Sequence, residues 1–237
     1  MNISFYTATT GAIQQQDRLD VHANNIANIN TAGFRAKQPS FNQLMTGPVV
    51  GIEDDLPRGV GARMEDAQTD FRQAPINGTG RPLDYAIEGG GFFGLIDPRT
   101  GEVSYTRDGS FTTSQFFEGE EEKWYLSDGM GRFVMGRDGQ PVEVEDEHES
   151  LEDVIGIFDF INHDGMLSLG ENRMIPVEKN GAVGLGGGKA IQGYLEMSNA
   201  DLANELTKVI EAQRSFQYAL RMITTSDEIE STVNNLR

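Results

Sequence analysis

The densest run of chemically versatile side chains is Ala23-Asn24-Asn25-Ile26-Ala27-Asn28-Ile29-Asn30-Thr31-Ala32-Gly33-Phe34. Each asparagine amide both donates and accepts hydrogen bonds. Asn24 and Asn28 are four apart and share a helical face, with Asn25 beside it. The run reads either as surface and capping residues or as polar contacts with another chain. Reaction chemistry is thin elsewhere. The histidines are His22, His148 and His163, and none has a second histidine or a carboxylate at metal-ligand spacing on a predicted helix. His148 sits among Asp146, Glu147 and Glu149, which reads as a solvated acidic loop. Gly184-Leu185-Gly186-Gly187-Gly188-Lys189 has a phosphate loop's glycines, but position 183 is Val183 and Ala190 replaces the magnesium-binding hydroxyl. It reads as a flexible connector. No Gly-x-Ser-x-Gly elbow occurs. Carboxylates are too abundant for any pair to specify hydrolysis. No catalytic, metal or cofactor residue is assigned.

The asparagine run lies at the end of a predicted helix over 3–28. Phe5, Ala12, Leu19 and Ile26 fall seven apart on one face, flanked by Ala8, Ala23 and Ile29. Gln14, Gln15 and Gln16 interrupt the stripe, and Gly33 is a natural stop. A second helix belongs to residues 193–237. Ser198 and Asn199 are its N-cap candidates, with Asp201 in the first turn. Leu202, Leu206, Val209, Phe216, Leu220 and Ile223 follow a three-four spacing, and Ser226, Ile229, Val233 and Leu236 continue on a slightly rotated stripe. The first helix has too few large apolar residues to stand alone, and isolated helices of this length are marginal in water. Joining the two stripes as an α-helical coiled coil brings the chain ends together. Both ends are expected to fray in a free monomer and to order when neighbouring copies complete the core, so the expected product is a polymer.

Between the helices, residues 36–76 read as an irregular connecting segment, broken by Pro39, Gly47, Pro48, Gly51, Pro57, Gly59, Gly61 and Pro75. Phe41 and Leu44 suit a short docking segment, and Val49, Val50, Ile52 and Val60 suit brief strands. Residues 77–192 read as a β domain. Runs at 85–88, 92–96, 102–107, 111–117, 124–126 and 132–135 are followed by later strands at 153–161 and 175–177. Asp-Gly pairs at 108, 128, 138 and 164 offer the positive φ of tight hairpins. The fold class is therefore α+β, with a mainly antiparallel β domain inserted between an N-terminal helix (1–35) and a C-terminal one (193–237).

The 237-residue chain is long enough for one large domain or two modest ones. It carries 37 acidic and 19 basic residues, a net charge of −18, and no cysteine. That charge excludes the basic footprint of a nucleic-acid binder and is repelled by anionic membrane. Most of the acid lies in the middle of the chain, where it promotes solubility. Without cysteine there is no disulfide or thiolate site. No apolar run approaches a membrane span, and the N-terminus lacks the pattern of a Sec signal. The expectation is either a cytoplasmic protein or one that leaves by a route reading no cleavable signal.

Three segments resemble the bacterial flagellar rod and hook axial family. The first is the asparagine run, similar to the family's N-terminal signature. The second is Pro82-Leu83-Asp84-Tyr85-Ala86-Ile87-Glu88-Gly89-Gly90-Gly91-Phe92-Phe93 with Tyr105-Thr106-Arg107-Asp108-Gly109-Ser110-Phe111. The third is Gly193-Tyr194-Leu195-Glu196-Met197-Ser198-Asn199 with the helix through Gln213-Arg214-Ser215-Phe216 and Thr224-Thr225-Ser226-Asp227-Glu228. The resemblance implies a non-enzymatic subunit of the basal-body rod, of proximal or distal type. It implies export through the flagellar type III apparatus without signal cleavage, and a place in the basal body outside the cytoplasmic membrane. It implies helical stacking on itself and on other rod and hook proteins to form the axial drive shaft and export channel. Asn24, Asn25, Ile26, Asn28, Asn30, Gly33 and Phe34 then form an assembly motif, and Phe5, Leu19, Ile26, Leu202, Leu206, Val209, Phe216, Leu220 and Ile223 pack the helices. The alternatives are a secreted acidic β-domain binder or cell-wall hydrolase whose end helices dimerise, and a cytoplasmic coiled-coil scaffold.

Overall fold

A computed structural model describes residues 3–46, 58–118, 121–145 and 150–236. The strand expectations at Val49, Val50 and Ile52, the breakers Gly47, Pro48, Gly51 and Pro57, and the acidic loop around His148 lie outside them. The chain divides into two compact units, each described by itself. The first comprises Met1–Ala27, Lys37–Thr69 and Asp201–Arg237; the second comprises Asn28–Ala36 and Asp70–Ala200.

The first unit holds α1 (Ile3–Ala27), β1 (Lys37–Thr46), β2 (Arg58–Thr69) and α2 (Leu202–Asn235). Strands β1 and β2 pair antiparallel from Lys37↔Thr69 to Thr46↔Arg58. An irregular connection expected over 36–76 is therefore in large part a hairpin. Periodicity did not reveal it because proline interrupts β1 and glycine interrupts β2, and its register slips between Pro39 and Phe41 and between Leu44 and Met45. Helix α1 packs against α2 and against both strands. Gln14, which interrupts the apolar stripe, accepts the backbone N–H of Met64 through Oε1 and so ties α1 to β2. Helix α2 starts later than expected. Its N-cap is Asp201, whose carboxylate accepts from Ala203 N–H at 3.1 Å, rather than Ser198 or Asn199.

The second unit is mainly β, with one short 3-10 turn at Glu178–Asn180. Its strands are β3 (Ile76–Gly78), β4 (Tyr85–Glu88), β5 (Phe92–Ile96), β6 (Val103–Thr106), β7 (Thr112–Glu118), β8 (Glu121–Ser127), β9 (Phe133–Val134) and β10 (Ile157–Phe160). After these come β11 (Leu167–Gly170), β12 (Arg173–Ile175), β13 (Val183–Leu185), β14 (Lys189–Gln192) and β15 (Tyr194–Glu196). A nine-stranded antiparallel sheet runs β11-β12-β6-β5-β9-β8-β7, with β10 bridging β5 to β13. Strands β4 with β14, and β3 with β15, form separate antiparallel pairs. Period-two alternation fills both faces of β5. Phe93 and Leu95 enter the main cluster with Tyr85, Ile87 and Leu126, whereas Phe92 joins Tyr105, Phe158 and Phe160. Tyr105 and Phe160 meet edge to face at 4.9 Å.

The Asp-Gly turns are used in two ways. Gly139 and Gly165 take positive φ as expected. Gly109 does not; a Cβ there would collide with the Tyr85 carbonyl oxygen, which the smallest residue lets approach. Close approach also governs the glycine run before Lys189, where a Cβ on Gly188 would meet the Gly90 carbonyl.

Candidate functional site

In the first unit, a buried polar node pins α1 to α2. His22 and Asn25 are three apart on α1, and Glu205 lies in the first turn of α2. His22 Nδ1 and Glu205 Oε2 are 2.6 Å apart, and Asn25 Nδ2 donates to the same oxygen at 3.1 Å. A carboxylate only accepts, so Nδ1 carries the proton. Lys208 Nζ donates to Oε1 at 3.0 Å. Burial raises the Glu205 carboxyl, but hydrogen bonds from Asn25, His22 and Lys208 outweigh it and hold the group below its usual range. The helix N-terminus favours the same negative charge.

Asn25 does more. Its Nδ2 also donates to the Lys37 carbonyl at 2.8 Å and its Oδ1 accepts the Lys37 N–H at 2.9 Å. One amide thus satisfies both backbone groups of the first residue of β1. Arg18 and Glu211 add an ion pair at 3.7 Å. Arg18 with Glu211, and His22 with Glu205, set the helices antiparallel. Equal rise per residue then places Ile3 opposite about residue 225, so the last turns of α2 run past the described start of α1.

The second unit has its own buried node. Glu196 forms an ion pair with Arg35, Oε1 lying 2.8 Å from Nη2, and accepts Arg107 Nη1 at 2.9 Å on Oε2. The Ala74 N–H also donates to Oε1 at 2.8 Å, and the Gly33 N–H donates to the Glu196 backbone oxygen at 2.8 Å. Asn199 closes the same region, accepting the Ala36 N–H and donating to the Asp70 carbonyl. Gly33 has φ 67°, and a Cβ there would run into the Asp108 backbone.

The sequence-derived residues separate into inner and outer sets. Asn25 and Phe34 are buried, Ile26 and Asn28 half-buried, and Asn24 and Asn30 exposed. Asn28 Oδ1 accepts the Thr31 hydroxyl at 3.2 Å. Leu19, Val209, Phe216 and Ile223 are half-buried, whereas Phe5, Leu202, Leu206 and Leu220 are exposed. The inward stripe of α2 instead uses Glu205, Ala212 and Ser226 as its fully buried members. Sequence reasoning missed His22, Glu205, Glu196, Arg35 and Arg107. One signal was present: Glu205 precedes Val209, Ala212 and Phe216 at four, seven and eleven residues, a charge in line with an apolar stripe.

What α2 leaves uncovered is organised. At about 100° per residue, Leu202, Leu206, Ile210 and Leu220 fall on one flank of the buried stripe. Tyr218, Met222, Ile229, Val233 and Leu236 fall on the other. All are exposed, up to 83% for Leu236. Most of the first group occupies the N-terminal part of α2 and most of the second its C-terminal part.

Comparison with known proteins finds family matches at both ends of the chain. A family model described as "Flagella basal body rod protein" matches residues 5–35, and one described as "Flagellar basal body rod FlgEFG protein C-terminal" matches residues 191–236. The flagellar basal-body rod protein FlgG of Bacillus subtilis is 34% identical, covering 99% of this chain and 98% of its own length. The chain belongs to the flagellar basal-body rod protein family. The FlgG proteins of Buchnera aphidicola subsp. Schizaphis graminum and of Caulobacter vibrioides are 31% and 29% identical, each covering 98% of this chain. A flagellar rod protein is a structural component of the flagellum basal body, not an enzyme, so a cell-wall hydrolase is set aside. Both family matches fall on the segments holding the terminal helices and the asparagine run.

Proposed function

We propose that this rod protein polymerises helically through its paired terminal helices, in coiled-coil fashion, into the axial drive shaft and export channel. It contacts other rod and hook proteins and reaches its site through the flagellar type III export apparatus. The observation carrying this reading is the pair of apolar flanks on α2. Isolated exposed apolar residues are ordinary, but ordered stripes on both sides of one helix want neighbours. Covering what remains exposed is worth roughly 1 kcal/mol per large side chain. Two unlike flanks imply a heterologous contact, which builds an open helix rather than a closed dimer. Among the asparagines, Asn24, Asn28 and Asn30 supply the amide contacts between subunits, while Asn25 serves its own chain.

The test is a Leu206→Glu, Ile210→Glu double variant, followed in purified basal bodies by electron microscopy. Rods should be missing or truncated while the soluble chain keeps its fold. Normal rods and motility in that variant would defeat the proposal. Retention of the chain inside cells that lack the flagellar export apparatus tests the export step separately.

A further inference from the structure

The β unit carries a cleft that its place in a rod does not explain. Strands β7 and β8 pair Phe116 with Lys123 and Ser114 with Tyr125, putting Phe116 and Tyr125 on one face. Phe133 of β9 completes an aromatic floor, with ring centroids 5.5 Å from Phe116 and 4.8 Å from Tyr125. Phe116 is 42% exposed, so its ring is a usable surface. Pro98 and Pro141 add apolar walls to a cavity of about 500 Å³. That volume falls within the range of ligand pockets.

Its charged groups are carboxylates, beside the Gln140 amide and the Tyr125 hydroxyl. Asp97 and Glu143 line the cleft, and no lysine or arginine does. Asp97 Oδ1 takes the Arg99 and Thr100 N–H groups, fixing the carboxylate on its turn, and no described group donates to Oδ2. The Arg99 N–H is the main reason its carboxyl stays below the usual range. Glu143 Oε1 takes Lys123 Nζ at 2.9 Å and the Tyr125 hydroxyl at 3.5 Å, and no described group donates to Oε2. Lys123 offsets the charge of Glu143 and shows that this rim receives an ammonium. Asp97 is the carboxylate left for an incoming cation.

We propose that this cleft binds an extended, proline-containing segment of another protein through an arginine or lysine side chain. The aromatic and proline walls suit a preformed polyproline II backbone, which loses little entropy on docking. The cation lies against Phe116 and pairs with the free oxygen of Asp97. The chain's net charge of −18 adds a long-range pull on a basic segment.

The test titrates the full-length chain with an acetylated Pro-Pro-Arg-Pro-Pro amide, followed by calorimetry and by NMR of the Phe and Tyr rings. Replacing arginine by the neutral isostere citrulline should weaken binding about tenfold. Phe116→Ala and Asp97→Asn should each weaken it, the second leaving the turn-fixing oxygen in place. Absence of binding at concentrations on the order of 10 mM would overturn the proposal. So would equal affinity for the citrulline peptide, or binding only by an N-acetylglucosamine oligomer, which would assign the aromatic floor to glycan. The citrulline comparison uses the wild-type chain and decides the matter even if a variant fails to fold.

Discussion

Asn25 Nδ2 donates to Glu205 Oε2 at 3.1 Å across 180 residues of sequence. The same side chain closes both hydrogen bonds with the Lys37 backbone. The helix pair and the hairpin therefore share one amide. Replacing Asn25 with alanine leaves Glu205 Oε2 to His22 alone and strands two backbone groups of Lys37, each costing about 1–3 kcal/mol when left unsatisfied. Asn25→Ala should lower chain stability by about 2–4 kcal/mol in urea unfolding followed by helical circular dichroism. The Asn24→Ala, Asn28→Ala double variant should cost less in that measurement and more in rod yield.

Glu205 makes the helix pair sensitive to acid. Its folded carboxyl is held below the unfolded value of about 4.5, so the stabilisation is fully present above that value. It is lost as pH falls through the lowered folded value. Helical signal should therefore drop only as pH falls below about 4.5, and Glu205→Gln should flatten that part of the curve while lowering stability at neutral pH. A profile unchanged by Glu205→Gln would remove the node from the account.

Gly33, with a φ of 67° and a position against the Asp108 backbone, is a packing requirement of the β unit. Gly33→Ala should destabilise by about 2 kcal/mol or more, read as a lower melting temperature of the β signal. Glu196 in the same region sits between two guanidinium groups. Glu196→Ala should cost about 3–5 kcal/mol, because two buried cations lose their partner.

The legible parts of this chain were those with local periodicity. Seven-residue spacing points to α1, and the short apolar runs split by Gly89-Gly90-Gly91 coincide with the limits of β4 and β5. The hairpin of β1 and β2 was not legible, because its strands are held by distant groups such as Gln14 and Asn25 rather than by an alternating pattern. The start of α2 was misread because Ser198 and Asn199 are equally good caps by type. Asn199 is instead engaged by Ala36 and Asp70, leaving Asp201 to cap. The charged nodes escaped notice because pairs such as Glu196 with Arg107 are 89 residues apart. Leu202, Leu206 and Leu220, expected to pack the helices, are exposed among the described residues, because the buried stripe of α2 runs through Glu205, Ala212 and Ser226 instead.

Hydrogen exchange across residues 202–236, compared between the dilute chain and purified rods, probes those flanks directly. Amides around Leu206, Ile210, Ile229 and Val233 should exchange quickly in the dilute chain and become protected in the rod. Equal protection in both states would mean that no neighbouring copy covers them, and would contradict assembly through this helix.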